Sequence, residues 1–284
     1  EGPAAGKGKG RPVAASPAGR VEGAPRRRKQ PAGSGVDSFF RAKAPTRPGD
    51  WLSHHQERHQ SPAAYRRSDP RGETEERRTI HLQPLGPFTP AQEKLLAKLR
   101  DYTAAFFCCP VKLLPPEDLP AFRARERRWA GRSWTQYHAG VILDRVLLYR
   151  MPENSICCLG ITMEDLYPET SWNFVFGLAS LDRGIGVYSL ARSFAEFHGG
   201  KPTPETRPRA LGRAFHMLAH ETCHMFSLPH CVKYECLMNG SNSLAEMDRQ
   251  PPFLCPDCLA KLRWNRGFDP RARYAGLLAI CRRE

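Results

Sequence analysis

No apolar run in the sequence approaches the roughly 18 residues that a membrane-spanning helix needs, so no membrane partner is expected. The opening residues also lack the apolar stretch of a secretory signal. The expected location is inside the cell, in the cytoplasm with the nucleus as a second site, and a start at Glu1 rather than Met leaves any preceding segment open. Acidic residues are in deficit, 29 against 43 Lys and Arg, for a formal net charge of +14. Such an excess attracts nucleic acid when it is gathered on a folded face. Residues 1–50 hold eleven basic and four acidic residues, so half of the net charge sits at the amino-terminal end. Nucleic acid is therefore not an expected partner.

That end also lacks any sustained apolar period. From Glu1 to Arg78 the chain is rich in Pro, Gly, Ala and Arg, with the run Arg26-Arg27-Arg28-Lys29. Its apolar surface is too sparse to offset the entropy of ordering the chain. Residues 1–78 are expected to form a disordered basic tail, and residues 79–284 the folded domain.

Periodicity begins at Thr79-Ile80-His81-Leu82, which reads as a short strand. Thr89-Pro90-Ala91-Gln92 supplies an N-cap, a first-turn proline and a capping-box glutamine for an amphipathic helix carrying Leu95, Leu96, Leu99 and Tyr102. Phe106 to Leu114 reads as a strand, Trp134 to Tyr149 as a second helix, and Ser155 to Thr162 as a buried strand. Trp172 to Ala179 and Ile185 to Leu190, joined through Asp182-Arg183-Gly184, suggest a hairpin. Cys108-Cys109 and Cys157-Cys158 fall within apolar strands, where cysteine acts as a small hydrophobe.

Arg209 to Phe226 returns to helical periodicity and contains His220-Glu221-Thr222-Cys223-His224. Positions four apart share a helix face, so both imidazoles can reach one metal, with Glu221 beside them but not placed as a ligand. Zinc lowers the pKa of a bound water from about 15.7 toward 7, and Glu221 would take its proton as that water attacks a peptide carbonyl. His230 follows six residues after His224, the spacing of the third ligand of a metzincin peptidase. Met238, in Leu237-Met238-Asn239-Gly240, stands where a turn bearing a methionine beneath the metal is expected. His216 precedes His220 by four residues and reads as a neighbour rather than a ligand. His54, His55, His59, His81, His138 and His198 lack ligand spacing.

Ten cysteines in a reducing compartment point to thiols or metal ligands rather than disulfides. Cys231 and Cys236, followed by Cys255-Pro256-Asp257-Cys258, form two local pairs suited to a closed tetrahedral zinc. Two zinc ions per chain are therefore expected, one catalytic and one structural. Because Cys231 directly follows His230, the second site would also fix the chain that presents the third histidine.

From His220 through Cys258 the sequence resembles the archaemetzincins, whose pattern is H-E-x-x-H-x-x-G-x-x-H-C, then C-x-x-x-x-C-x-M and a later C-x-x-C. The likeness extends to Val111-Lys112-Leu113-Leu114, Gly160-Ile161-Thr162-Met163, Ser171-Trp172-Asn173-Phe174-Val175-Phe176-Gly177 and Cys236-Leu237-Met238-Asn239-Gly240-Ser241-Asn242, and is nearer the shorter vertebrate type. It implies an α+β fold of the compact metzincin type: a mixed twisted sheet with packed helices over 79–226, including the active-site helix, and a small zinc-bound subdomain over 227–284. It also implies zinc-dependent hydrolysis of a peptide or protein substrate, aminopeptidase-like. The other reading is a zinc-stabilised binding protein that keeps this fold without turnover.

One position departs from the pattern, since the family glycine is Ser227 here. That residue ends the helix at positive φ, which costs a side chain with a Cβ on the order of 1 kcal/mol. Weakened zinc binding is the expectation, restored by Ser227→Gly.

Overall fold

The computed structural model describes residues 39–129 and 131–283. The first 38 residues of the expected tail, with the run Arg26 to Lys29, lie outside the described residues. The remainder of that tail is structured, which corrects the boundary expected at residue 78. One compact unit begins at Phe39 and opens with the short helices α1 (Trp51–His54) and α2 (Pro62–Arg67). Tyr65 of α2 is fully buried, and its hydroxyl donates to the Phe226 carbonyl at 2.7 Å. Few apolar residues suffice here because each docks on a surface that the rest of the chain has already built.

β1 (Thr79–Leu85) is buried along its whole length. α3 (Pro90–Phe107) starts with the capping box predicted at Thr89 and Gln92. It ends at Cys108 in the left-handed conformation, so Phe106 and Phe107 are helical and β2 covers only Val111–Leu113. Cys108 is exposed, against expectation, while Cys109, Cys157 and Cys158 are buried.

β3 (Arg125–Trp129) and β4 (Arg132–His138) pair antiparallel. The helix expected from Trp134 is thus a strand through His138. It then becomes α4 (Ala139–Ile142), a π-helical stretch over Leu143–Leu147 and α5 (Leu148–Arg150). Pairing with β3 and with Asp165–Tyr167 supplies the backbone partners that override the local helical period.

β5 (Ser155–Thr162) occupies the span expected of it and β6 is Asp165–Tyr167. The hairpin forms between β7 (Gly177–Ala179) and β8 (Ile185–Ser189), with Trp172 to Phe176 left as a loop. The larger sheet has the order β2-β1-β5-β8-β7, all parallel except the antiparallel edge strand β7. A smaller sheet, β3-β4-β6, stands beside it.

α6 (Thr206–Met225) packs under β7 and β8 and against α3. Then come α7 (Leu244–Met247), α8 (Pro256–Arg266) and α9 (Pro270–Cys281), the last lying along α3. The main apolar core joins β1, β5, α3 and α6 to Leu237, Cys255 and Leu262, so residues before and after Phe226 share it. Among the described residues no helix is long and apolar enough to cross a membrane.

Candidate metal centre and active site

The apolar side of α6 buries Ala214, Met217, Leu218 and Cys223 against the sheet, which leaves His220 and His224 on the face toward the cleft. The helix ends in a Schellman turn: Leu228 N–H donates to the Cys223 carbonyl at 3.1 Å and Ser227 N–H to the His224 carbonyl at 2.8 Å. Ser227 takes the left-handed conformation expected of it, with φ of 63°. Its hydroxyl answers part of the cost by donating to the Leu181 carbonyl at 2.6 Å and accepting from Arg71 N–H at 3.1 Å.

This turn brings His230 back beside the helix. One nitrogen from each of His220, His224 and His230 lies within 4.8 Å of the others. Each ring is held through Nδ1. His220 Nδ1–H donates to the Leu237 carbonyl at 2.9 Å, His224 Nδ1–H to the Leu228 carbonyl at 2.7 Å, and His230 Nδ1–H to Glu57 Oε1 at 2.7 Å. Carbonyl and carboxylate oxygens only accept, so Nδ1 carries a proton in each ring and Nε2 is the nitrogen left to face a metal. His220 Nε2 and His224 Nε2 then face one another at 3.0 Å. Two lone pairs at that distance repel unless a cation lies between them, and three imidazoles so gathered are a donor set that suits zinc.

Burial, with the nearby charges of His224 and His230, holds His220 well below the usual histidine range. Burial likewise brings His224 to about 3. Both rings thus stay unprotonated and available as ligands. His216, brought to about 4 by burial, lines the same cleft with its Nε2 unpartnered among the described residues, but stands outside the three-histidine group. Met238 is fully buried, and Leu237 beside it in the chain holds His220.

Glu221 is 7% exposed and burial pushes its carboxyl up to about 8. A dication among the three imidazoles acts in the opposite sense. Its carboxylate lies against Gly177 of the edge strand. Gly177, Leu178 and Ala179 form one wall of a cleft of about 470 Å³ that also contains the three histidines, Glu57, Glu169, Trp51 and Trp172.

Cys231, Cys236, Cys255 and Cys258 gather their sulfurs within 4.8 Å, all buried and none in a disulfide. Hydrogen bonds from the other three thiols pull Cys231 far below the usual thiol range and push Cys258 far above it. Four thiols so close cannot all ionise without a cation, and four thiolates are the donor set of a closed zinc site. Cys236 Sγ also accepts from Cys255 N–H at 3.2 Å and Met238 N–H at 3.4 Å. Asn239 closes the loop between Cys231 and Cys236: its amide donates to the Cys231 carbonyl at 2.6 Å and the Tyr234 carbonyl at 2.9 Å, and its oxygen accepts from Cys236 N–H at 3.0 Å.

Sequence reasoning missed Glu57, which accepts from His230 and from the Trp51 indole N–H at 3.0 Å. Burial raises its carboxyl pKa, but the bonds from His230 and Trp51 outweigh that and lower it. The one available signal was the run Trp51 to Glu57, dense in aromatic and titratable residues for a segment read as a tail. His55, also in that run, stacks on Trp51 at 3.8 Å and Trp172 at 5.8 Å.

The chain is 38% identical over 259 residues to archaemetzincin-2 of Macaca fascicularis and to that of Homo sapiens, covering 81% of this chain and 71% of each relative. The chain belongs to the archaemetzincin family. The model of peptidase family M54 matches residues 136–264 of this archaemetzincin, and the family is one of zinc metallopeptidases, whose substrates are peptides or proteins. Archaemetzincin-1 of Mus musculus is 34% identical over 233 residues, covering 72% of this chain and 46% of the relative.

Among solved structures, the archaemetzincin of Methanopyrus kandleri matches at a TM-score of 0.54 and 29% identity, over 69% of this chain and 99% of that one. A zinc-dependent peptidase from Methanocorpusculum labreanum matches at 0.50 and 26%, over 64% and 99%. The α+β architecture of this archaemetzincin is thus that of its family.

Proposed function

We propose that the chain hydrolyses peptide bonds with zinc held by Nε2 of His220, His224 and His230, and with Glu221 as general base. The observation that carries this reading is the Nδ1–H bond made by all three rings, which turns three lone pairs toward one point in the cleft that Glu221 lines. Zinc bound there supplies Lewis acidity, polarising a carbonyl and lowering the pKa of water from about 15.7 to about 7. Glu221 accepts the proton of the attacking water on a carboxylate oxygen and returns it to the nitrogen of the leaving amine. The apolar wall of β7 and the buried carboxylate keep bulk water from competing for that proton.

The four cysteines hold a second, structural zinc in this reading, and Met238 forms the floor of the first site. Asn239 and the adjacency of His230 to Cys231 make the second zinc a support for the third ligand. Removal of a single N-terminal residue is the finer proposal. A free amine requires an acidic partner, and Glu169 offers an exposed carboxylate on the cleft.

Purified protein should carry about two zinc ions per chain, and Glu221→Ala should keep both while abolishing cleavage of a peptide library. Full zinc occupancy without cleavage by the unaltered chain would instead support a zinc-stabilised binding protein. Peptides with free and acetylated N-termini separate the finer reading, since equal cleavage of the two would exclude an aminopeptidase.

A further inference from the structure

The segment before α2 is stitched to the loop between Cys231 and Cys236. Lys43 N–H donates to the Lys233 carbonyl at 3.0 Å, Glu235 N–H to the Arg41 carbonyl at 2.9 Å, and Ala44 N–H to Glu235 Oε1 at 2.7 Å. Ala42 and Tyr234 form an antiparallel bridge. A second anchor lies farther on, where Trp51 N–H donates to the Glu246 carboxylate at 2.9 Å. The indole also packs on Gly240 so closely that a Cβ there would meet it at 2.4 Å. Between these anchors and α2, Glu57 reaches His230.

His230 differs from the other two histidines in what holds it. His220 and His224 sit on a long helix, and main-chain carbonyls of Leu237 and Leu228 orient their rings. His230 lies beyond that helix, where its backbone has no helical ladder to fix it. Its Nδ1–H bond goes to a side chain 173 positions earlier, and the same oxygen is held by Trp51, whose ring meets the His230 ring edge-on at 5.0 Å.

We infer that Glu57 is a positioning residue of the metal centre, holding the His230 ring so that Nε2 joins those of His220 and His224, with Trp51 in turn holding Glu57. A carboxylate on the distal N–H fixes the tautomer and makes the ligating nitrogen more basic, and loss of such a partner costs about 10- to 100-fold in metal affinity. The strap from Arg41 to Glu57 is therefore part of the metal site although it lies far from the ligand motif. This inference rests on the ligand set proposed above.

The test is zinc affinity of both sites by competition with a chromophoric chelator, in the whole chain carrying Glu57→Ala, Glu57→Gln, Trp51→Phe or His230→Ala. Glu57→Ala should weaken one of the two zinc ions by about 10- to 100-fold and leave the other unchanged. Glu57→Gln, which still accepts the bond but lacks the charge, should recover part of that loss. Trp51→Phe should give a smaller loss at the same site. A downfield Nδ1 proton resonance from His230 should disappear in Glu57→Ala.

If His230→Ala loses that zinc while Glu57→Ala and Glu57→Gln bind it as tightly as the unaltered chain, the positioning role is wrong and the ligand set stands. If His230→Ala keeps both zinc ions at full affinity, the ligand set fails and the positioning role with it. Should Glu57→Ala not fold, the Glu57→Gln affinity decides alone, and an unchanged value overturns the role.

Discussion

A Cβ on Gly177 would lie 2.4 Å from Glu221 Oε1. The edge strand therefore approaches the proposed general base as closely as a backbone without a side chain allows. Gly177→Ala should displace the carboxylate and leave the three histidines in place. Peptide cleavage should fall by at least about 100-fold, the scale of a lost general base, with zinc content unchanged. Activity within a factor of two of the unaltered protein would show that Glu221 tolerates the shift.

Ser227 departs from the family pattern, and its structure changes what a glycine there should do. The left-handed turn costs about 1 kcal/mol for a residue with a Cβ, while its two hydroxyl bonds return about 0.5–1.5 kcal/mol each. Ser227→Gly relieves the strain but loses both bonds, so it should be neutral to about 2 kcal/mol destabilising, with no gain in zinc affinity in place of the one expected from strain alone. Ser227→Ala keeps the strain, loses both bonds and should cost about 1–3 kcal/mol in urea denaturation. A marked rise in zinc affinity for Ser227→Gly would show that strain dominates.

Asp165 is buried at 1% exposure and joins the small sheet to the chain after β8. Its carboxylate accepts two bonds from Arg192 at 2.7 Å, one from Trp134 at 2.9 Å and one from Gln136 at 2.8 Å. Asp165→Ala should destabilise the fold by about 3–5 kcal/mol, because Arg192 is left without its partner. A loss below about 1 kcal/mol would place the pair with ordinary surface ion pairs.

His81 on β1 is buried, with Nδ1 2.7 Å from Ser155 Oγ. Burial, joined by a smaller push from Lys112, lowers its pKa below 6.5. The folded state then binds fewer protons than the unfolded chain once the pH falls through 6.5, so stability is complete above that value and is lost on acidification. Urea midpoints at saturating zinc should decline as pH drops from about 7.5 to 5.5, and His81→Gln should flatten the decline. Parallel profiles for the two proteins would exclude His81 as a source.

Short-range signals were readable in advance. The Thr89 and Gln92 capping box, the buried run of β5 and the helix carrying His220 and His224 are each set by residues within a turn or two of one another. The same holds for the two cysteine pairs, whose ligand spacing is a local property. The α+β class followed from the family likeness those motifs carry. The span from Trp134 to Tyr149 was misread because an apolar pattern compatible with a helix also fits a strand once β3 and β6 lie alongside. Nothing near Trp134 in the chain records those partners.

The sequence by itself determined which residues can hold metal and in which order they occur, since helical periodicity and ligand spacing act over a few positions. Only the tertiary structure decided what supports them. Gly177 meets Glu221 across a strand and a helix, and Glu57 meets His230 from a segment that looks like a tail because it has little core of its own. Such contacts depend on surfaces assembled from distant parts of the chain, and a segment whose large anchors are Trp51 and the buried Tyr65 of α2 folds only because those surfaces exist.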